Sequence, residues 1–167
     1  MSMQNDIARL QLQEKELVLP SFDRETAWRL GTTLRDLGVA RHYSIVIEVR
    51  LFDEPLFYCA LEGTSPSNPY WIRRKGKVVA MFHISSYAMG LKLKLQGTDL
   101  FTRHGLAAAE YAADGGSFPI RVENAGCIGS ATVSGLAQRL DHELVVEALC
   151  VLTGKNYEAL QLPAQDW

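Results

Sequence analysis

Apolar residues recur at helical spacing in several stretches of the chain, and this pattern predicts its helices. One clear stripe, close to the 3.6-residue repeat of an α-helix, consists of Ala27, Leu30, Leu34 and Leu37. Ser21 or Asp23 is expected to cap this helix, and Gly38 to end it, because glycine is common just after a helix. Short helices are predicted over 4–16 and after Asn156, and longer helices over 68–95, 98–113 and 141–153.

Runs rich in β-branched and aromatic residues predict four strands, at 43–51, 56–61, 118–122 and 127–134. Short turns join the first strand to the second and the third to the fourth, so the strands form two hairpins rather than βαβ crossovers. The pattern therefore predicts an α+β domain over residues 1–167, with helices packed on an antiparallel sheet. It argues against a Rossmann fold.

The most suggestive stretch is residues 68–75, NPYWIRRK, which we call the basic segment. Asn68 is expected to cap the helix and Pro69 to occupy its first position. Cations near a helix N-terminus oppose the helix dipole, so a chain that places them there is expected to use them, for example to hold a carboxylate or phosphate. The alternatives are a solvated basic face or a salt-bridge patch between subunits. The candidate ligand-binding residues are Trp71, Arg73, Arg74 and Lys75.

Further candidates follow on the same predicted helix. Phe82 would supply an apolar wall, and the small Ser85 and Ser86 would let a ligand or another backbone come close. His83 and His104 are candidate haem or metal ligands, with a half-buried structural histidine as the alternative. No two histidines have the i,i+4 spacing of a metal site, and the HExxH motif does not occur.

The second half of the chain has motif-like residues with simpler interpretations. Asp141 and His142 belong to an Asp-His-Glu run, but adjacent helical residues point in different directions, so Asp141 is expected to cap a helix instead. Ser134 and Gly135 end a strand before a helix without the GxSxG motif of a nucleophile elbow. Gly129 predicts a bulge or a close backbone approach.

Composition narrows the classes of protein that remain. The chain has 167 residues, a formal net charge of −2 and a pI of about 6.1, so it lacks the basic excess of a general nucleic-acid or membrane-surface binder. Its three cysteines form no CxxC pair and match no zinc pattern, which predicts small core residues. No signal-peptide or membrane-span pattern is present, and the chain is expected to be cytoplasmic.

The stretch GGSFPIRVENAGCIGSATVSGLAQRLDHELVVEAL resembles the haem-degrading-domain superfamily, also called GlcG/HbpS-like. The similarity lies in a Gly-Gly-x-Pro strand, a G-x-(I/V)-G turn, a V-S-G strand end and an aspartate that opens a helix. The residues that match are Gly115, Gly116, Pro119, Gly126, Ile128, Gly129, Val133, Ser134, Gly135 and Asp141. The basic segment resembles a particular branch of that superfamily.

The resemblance implies a profilin-like or PAS-like fold, with an antiparallel sheet of about five strands and helices around it. It also implies symmetric homo-oligomers, and a role connected with haem, iron or corrinoids.

Three hypotheses follow for function. The first is an oligomeric module that binds a small anionic and apolar molecule, haem being the named example, through the basic segment. The second is a haem-degrading enzyme, although the chain shows no cofactor fingerprint and no recognisable acid–base pair. The third is a structural or partner-binding oligomer in which the basic segment pairs across an interface.

Overall fold

A computed structural model of the chain describes residues 3–164. Its helices are α1 (Met3–Glu16), α2 (Arg24–Ala40), α3 (Asn68–Phe82), α4 (Ser86–Leu95), α5 (Leu100–His104), α6 (Gln138–Thr153) and α7 (Tyr157–Leu160). Its strands are β1 (Val18–Leu19), β2 (Val46–Leu51), β3 (Pro55–Ala60), β4 (Ser117–Val122) and β5 (Gly126–Ser134). Among these helices, none is long and apolar enough to cross a membrane.

All five strands form one sheet in the order β1-β4-β5-β2-β3. The two predicted hairpins, β2–β3 and β4–β5, are antiparallel, and β2 pairs antiparallel with β5. The α+β prediction with about five strands is confirmed. The prediction of a purely antiparallel sheet is wrong at one edge, where β1 runs parallel to β4. A strand of two residues is too short to form the run of β-branched and aromatic residues from which the other four were predicted.

The sheet has one apolar face, which helices α2 and α6 cover. Its strand residues include Ile47 and Val49 of β2, Phe118 of β4 and Val133 of β5, and each of these side chains is fully buried. The helices contribute the predicted stripe of α2 together with Val145 and Leu149. We call this side the core face.

The opposite face carries the alternate strand residues and is covered mainly by α3. It is polar although it is buried, and its residues include Glu48, Ser117, Ser130, Thr132 and Ser134. Hydroxyl groups pair there across neighbouring strands, since the Ser117 and Thr132 side-chain oxygens lie 2.8 Å apart. We call this side the polar face.

The predicted helix over 68–95 is in fact two helices. His83 ends α3 in the left-handed conformation (φ +56°), which breaks the helical path. Ser85 then caps α4, because its hydroxyl accepts a hydrogen bond from the Ala88 N–H at 3.2 Å. The apolar residues on either side of this break keep nearly the same sequence spacing as in one continuous helix. The hydrophobic periodicity therefore did not reveal the break.

The predicted helix over 98–113 is also wrong in length. Helix α5 begins after Asp99, whose carboxylate accepts from the Thr102 N–H, and ends at Gly105 with φ +69°. Residues 106–116 run on as turns and irregular chain before β4. The alanines in this stretch have the spacing of an apolar helical stripe, and for this reason a longer helix was predicted.

One helix boundary differs from the prediction for a packing reason. Asp23 caps α2 as predicted, but Gly38 lies inside the helix, which continues to Ala40. A Cβ on Gly38 would lie 2.8 Å from Leu61, so this glycine serves a close contact rather than a helix end. Helix α6 ends at Gly154 as predicted, and Asn156 caps the start of α7 as predicted.

Candidate functional site

Lys75, from the basic segment, is buried on the polar face. Its Nζ donates to Asp141 Oδ2 at 3.0 Å and to the Val133 carbonyl at 3.3 Å, and the side chains of Lys75 and Asp141 are 4% and 1% exposed. Burial raises the pKa of the Asp141 carboxyl above its ordinary value, although Lys75 acts in the opposite direction. The basic segment is therefore not a uniformly solvated face.

Asp141 is not the cap of α6, as the sequence predicted. Ala137 precedes the helix as its cap residue without a side-chain hydrogen bond, and Asp141 lies one turn inside. Its Oδ1 accepts from the Leu136 N–H at 3.0 Å. The carboxylate thus ties the loop before α6 to helix α3 through Lys75.

The ion pair forms part of the wall of a polar pocket of about 370 Å³, which we call the lysine pocket. It lies between the first turns of α3 and α6, and its lining residues are Asn68, Trp71, Lys75, Asp114, Ser134, Gly135, Leu136, Gln138 and Asp141. Three of the family-motif residues, Ser134, Gly135 and Asp141, therefore line this pocket together with residues of the basic segment.

Two glycines of the family motif make the pocket wall sterically feasible. A Cβ on Gly116, which has φ +135°, would lie 2.8 Å from Lys75 Nζ. A Cβ on Gly115 would lie 2.2 Å from the Gln138 carbonyl oxygen, while the Gly115 N–H donates to Gln138 Oε1 at 3.0 Å. Both glycines are thus required by close approach.

Two more motif residues belong to the sheet. Gly129 confirms the predicted close backbone approach, because a Cβ there would lie 2.0 Å from the Arg50 carbonyl oxygen. The β4–β5 register shifts after Ile120, the partner of Gly129. Pro119 lies within β4 opposite Ser130, beyond the two residues that pair with β1.

Arg74 points away from Lys75. Its guanidinium lies over the Trp71 ring at 4.4 Å, and its Nε donates to the Ala108 carbonyl at 2.9 Å. Tyr70 fixes the same loop, since its hydroxyl donates to the Ala109 carbonyl at 2.7 Å. These contacts hold residues 106–113 against α3.

That loop closes one side of a cleft of about 550 Å³, which we call the apolar cleft. Helix α4 and helix α5 form its other sides. Its apolar lining includes Leu93, Leu100, Phe101, Leu106 and Tyr111, and its charged lining consists of Arg74, Lys94, Asp99 and Asp114. The Phe101 ring is 68% exposed, an unusual position for a large apolar side chain.

Arg73 borders a third depression, of about 240 Å³, which we call the basic pocket. It lies between α3 and the strands β2 and β5, and its lining residues are Glu48, Arg50, Phe52, Arg73, Gly76, Lys77, Ala80 and Ser130.

The structure thus divides the cations of the basic segment among three depressions. Consecutive helical residues point about 100° apart, so Arg73, Arg74 and Lys75 face the basic pocket, the apolar cleft and the lysine pocket in turn. The three residues do not converge on one anion. Asn68 accepts from the Ser65 N–H at 2.8 Å, so it fixes the preceding loop instead of capping α3 as predicted.

The other predicted ligand-binding residues have internal contacts. Ser86 is fully buried, and its hydroxyl accepts from the Ser117 N–H at 3.1 Å, which joins α4 to the sheet. Ser85 caps α4, and its backbone N–H donates to the Glu14 carboxylate at 2.8 Å. Phe82 is half-buried, and its ring centre lies 4.8 Å from that of His104.

The candidate histidine ligands lie apart from the apolar cleft lining. His83 stacks on Phe52 at 5.4 Å with an interplanar angle of 11°, beside the basic pocket. His142 is fully buried, and its Nε2 lies 2.8 Å from Gln13 Oε1. Among the residues that the structure describes, no group of three or more His, Cys, Asp and Glu side chains could hold a metal ion.

Several site residues had no signal in the sequence. Asp114 lines both the lysine pocket and the apolar cleft, and Phe101 lines the cleft, but neither was a candidate in the sequence. Tyr111 lies beyond the end of α5, in the stretch for which a helix over 98–113 was predicted. The cysteine prediction is right for the buried Cys150, whereas Cys59 and Cys127 are half-buried, and all three are free.

The fold is shared with solved structures. The chain is similar to the Ybr137w protein, with a TM-score of 0.82 and 28% identity over 89% of this chain and 87% of that one. A double mutant of Streptomyces reticuli HbpS has a TM-score of 0.64 at 15% identity, covering 78% and 86% of the two chains. PduOC, in a structure of its haem complex, has a TM-score of 0.65 at 12% identity, covering 80% and 94%.

The chain belongs to the HbpS-like family, described as "Haem degrading protein HbpS-like", whose family model matches residues 22–150. A UPF0303 protein of Burkholderia thailandensis is 54% identical over 157 residues, covering 94% of this chain and 95% of the relative. A UPF0303 protein of Acidobacterium capsulatum is 52% identical over 163 residues, covering 98% and 99%. The resemblance seen in the sequence is confirmed.

Proposed function

We propose that this protein binds a small molecule with a flat apolar body and anionic groups, haem being the leading candidate, and that the apolar cleft is the binding site. The observation that carries the proposal is the combination of an exposed apolar wall with Arg74 at its edge. Binding sites for small molecules are usually concave, mostly apolar and equipped with a few placed polar groups. The cleft volume of about 550 Å³ lies within the usual range for such sites.

The lining residues fit the parts of haem. Leu93, Leu106 and Phe101 would contact the apolar macrocycle, and Arg74 would pair with a propionate. The Tyr111 hydroxyl belongs to one of the residue types that hold haem iron in proteins. Bound haem would supply a redox-active iron.

His83 and His104 remain candidate iron ligands. His104 ends α5, the helix whose first residues line the cleft, so a small shift of α5 would be needed to bring its ring to a ligand. The other members of the predicted set (Trp71, Arg73, Lys75, Phe82, Ser85 and Ser86) do not line the cleft. Among them, Trp71 supports Arg74 from below.

Relatives add support of a different kind. The description of the matching family names haem degradation, and PduOC, which has the same fold, was solved as a haem complex. Incubation of the haemin-loaded protein with ascorbate tests the enzymatic alternative. Loss of the Soret band faster than in a buffer control would favour catalysis over simple binding.

Haemin titration followed at the Soret band tests the proposal. We expect saturable binding, weakened about tenfold by Phe101→Ser, because the ring contributes burial only when a ligand covers it. Val151→Ser is the matched control, since Val151 is 61% exposed on α6. The variants Tyr111→Phe, His83→Ala and His104→Ala then identify the iron ligand from the position of the band.

Two results would contradict the proposal. One is the lack of any saturable spectral change with haemin. The other is equal binding by the wild type, Phe101→Ser and Val151→Ser, which would place haem outside the apolar cleft.

We also propose a cytoplasmic homo-oligomer. The three free thiols suit a reducing compartment. Strand β3 forms the open edge of the sheet beside the exposed rings of Tyr58 and Trp28, which suits pairing with a second copy. Light scattering would test it, with Tyr58→Glu expected to lower the mass. A monomeric mass for the wild type would contradict the proposal.

A further inference from the structure

We infer that the basic pocket is a second, separate binding site, which takes the oxyanion group of a small molecule, a phosphate or a carboxylate. The pocket lies on the polar face between α3 and the strands β2 and β5. It shares no lining residue with the apolar cleft. The inference therefore does not depend on haem binding.

The pocket has more positive than negative charge. Arg50 contacts Glu48 at 3.3 Å, and Lys77 pairs with Glu110 outside the pocket. Arg73 has no hydrogen bond or ion pair among residues 3–164, and its guanidinium lies over the Tyr70 ring at 5.1 Å. Lys77 lowers the pKa of the exposed Glu110 carboxylate, and the charge of Arg73 acts on that group in the same direction. An anion in the pocket would give the Arg73 guanidinium a hydrogen-bonding partner within the described chain.

A serine hydroxyl faces the same space. Ser130 of β5 is 3% exposed, lines the pocket and has no side-chain hydrogen bond within the part of the chain that the structure describes. Among the described residues, His142 Nδ1 is the fully buried side-chain atom without a partner, so the Ser130 oxygen retains access to the pocket, where a ligand or water can pair with it. Its O–H would donate to an oxyanion while Arg73 and Lys77 approach from α3.

Gly76 gives independent support. It lies inside α3, where glycine is less favourable than alanine. A Cβ there would meet only Ser130 Oγ at 3.8 Å and Thr132 Oγ1 at 3.9 Å, which are ordinary contacts. Neither packing nor backbone conformation requires this glycine, in contrast to Gly115 and Gly116. Its effect is to keep the space above the Ser130 hydroxyl open.

Two carboxylates oppose an anion, Glu48 in the pocket wall and the exposed Glu110, which pairs with Lys77 outside it. The nearer one is Glu48. It is 8% exposed and lies opposite Thr132 in the sheet. Its contact with Arg50 offsets its charge, and it fixes one of the cations at the pocket wall. Phe52, stacked on His83, forms an aromatic wall that suits a ring carried by the same ligand.

Titration of the ¹⁵N-labelled full chain, at constant ionic strength, tests the inference with two probes, inorganic phosphate and oxalate. We expect saturable shifts of the Gly76 and Ser130 amide signals with at least one probe. Shifts with phosphate alone identify a phosphate site, and shifts with oxalate alone identify a carboxylate site.

Two variants and a control separate binding from folding. Arg73→Gln is expected to weaken binding about tenfold, whereas the control Arg103→Gln, an exposed arginine on α5, leaves it unchanged. Gly76→Ala is expected to weaken binding while raising the melting temperature by about 2–4 °C. If Gly76 were required only for packing, Gly76→Ala would lower the melting temperature instead.

The inference is overturned if neither probe produces saturable shifts at these amides. It is equally overturned if Arg73→Gln and Gly76→Ala bind as the wild type does. Both results leave the haemin titration unaffected, so the two sites are tested independently.

Discussion

The two faces of the sheet are built on opposite principles. On the core face, strand residues such as Ile47 and Val133 are fully buried against α2 and α6, and apolar contact alone stabilises the packing. On the polar face, Ser130 and Thr132 are just as buried, yet α3 covers them with a lysine and a glycine. All three depressions bordered by the basic segment open beside α3.

This contrast between the two faces indicates on which side of the sheet a functional site is expected. A buried polar group stabilises a protein little more than an apolar group of the same shape would, and it is costly if its partner is lost. A sheet face that buries hydroxyls and a Lys75–Asp141 ion pair is therefore poorly explained by stability alone. The polar face supplies donors and acceptors next to cavities, whereas the core face holds the sheet together.

The largest expected effect comes from breaking the buried ion pair. Lys75→Met leaves the Asp141 carboxylate without its cation and is expected to lower the free energy of unfolding by about 3–5 kcal/mol. Urea denaturation at pH 7 measures the loss. The control is the double variant Lys75→Met/Asp141→Leu, expected to recover most of the stability because no unpaired charge remains. A double variant as unstable as the single one would contradict this account.

His142 is expected to make stability depend on pH. Burial lowers the pKa of His142 to about 3, and the Arg139 charge acts in the same direction. Below about pH 6.5 the unfolded chain therefore binds a proton at this histidine, whereas the folded chain does not. The contribution of His142 to stability is therefore full above pH 6.5 and falls as the pH is lowered toward 3. The slope is expected to approach about 1.4 kcal/mol per pH unit.

Urea denaturation between pH 7 and pH 4 measures this slope. The variant His142→Asn should flatten it, because asparagine does not titrate. The control Val151→Ser, at an exposed position of the same helix, should leave the slope unchanged because neither residue titrates. An unchanged slope in His142→Asn would assign the acid sensitivity to other groups. The Nδ1 of His142 is buried without a hydrogen-bond partner among the described residues.

A single hydroxyl deletion on the polar face is expected to cost about 1–3 kcal/mol. Thr132→Val removes the partner of the Ser117 hydroxyl while keeping the side-chain shape, so one buried donor remains unpaired. The double variant Ser117→Ala/Thr132→Val should lie close to the wild type. Thermal unfolding of the three proteins measures the pattern, and equal destabilisation by single and double variants would be inconsistent with hydrogen-bond loss as the cause.

The smallest effect is expected on the core face. Ile47→Val removes one buried methylene group and should cost about 0.5–1.5 kcal/mol without any pH dependence. The matched substitution Val49→Ala on the same face should cost somewhat more, in proportion to the volume removed. If Ile47→Val proved more damaging than Thr132→Val, the contrast between the two faces would have to be abandoned.

Much of the fold was predictable because it follows local rules. The alternation in β2 and β5, the stripe of α2 and the caps at Asp23 and Asn156 depend on neighbours in the chain. The break at His83 was not predictable in the same way. A left-handed residue and a serine cap leave the apolar periodicity almost unchanged.

The amino-acid sequence was sufficient to predict the α+β class, the two hairpins and the family. The tertiary structure was needed to find that Arg73, Arg74 and Lys75 line three different depressions. The reason is geometric, because adjacent side chains on a helix point in different directions. Each of them therefore meets a different element, namely strand β2, helix α6 or the loop that follows α5, and these elements lie far away in the sequence. The tertiary structure also showed that Lys75 is buried and forms an ion pair with Asp141, which the sequence did not indicate.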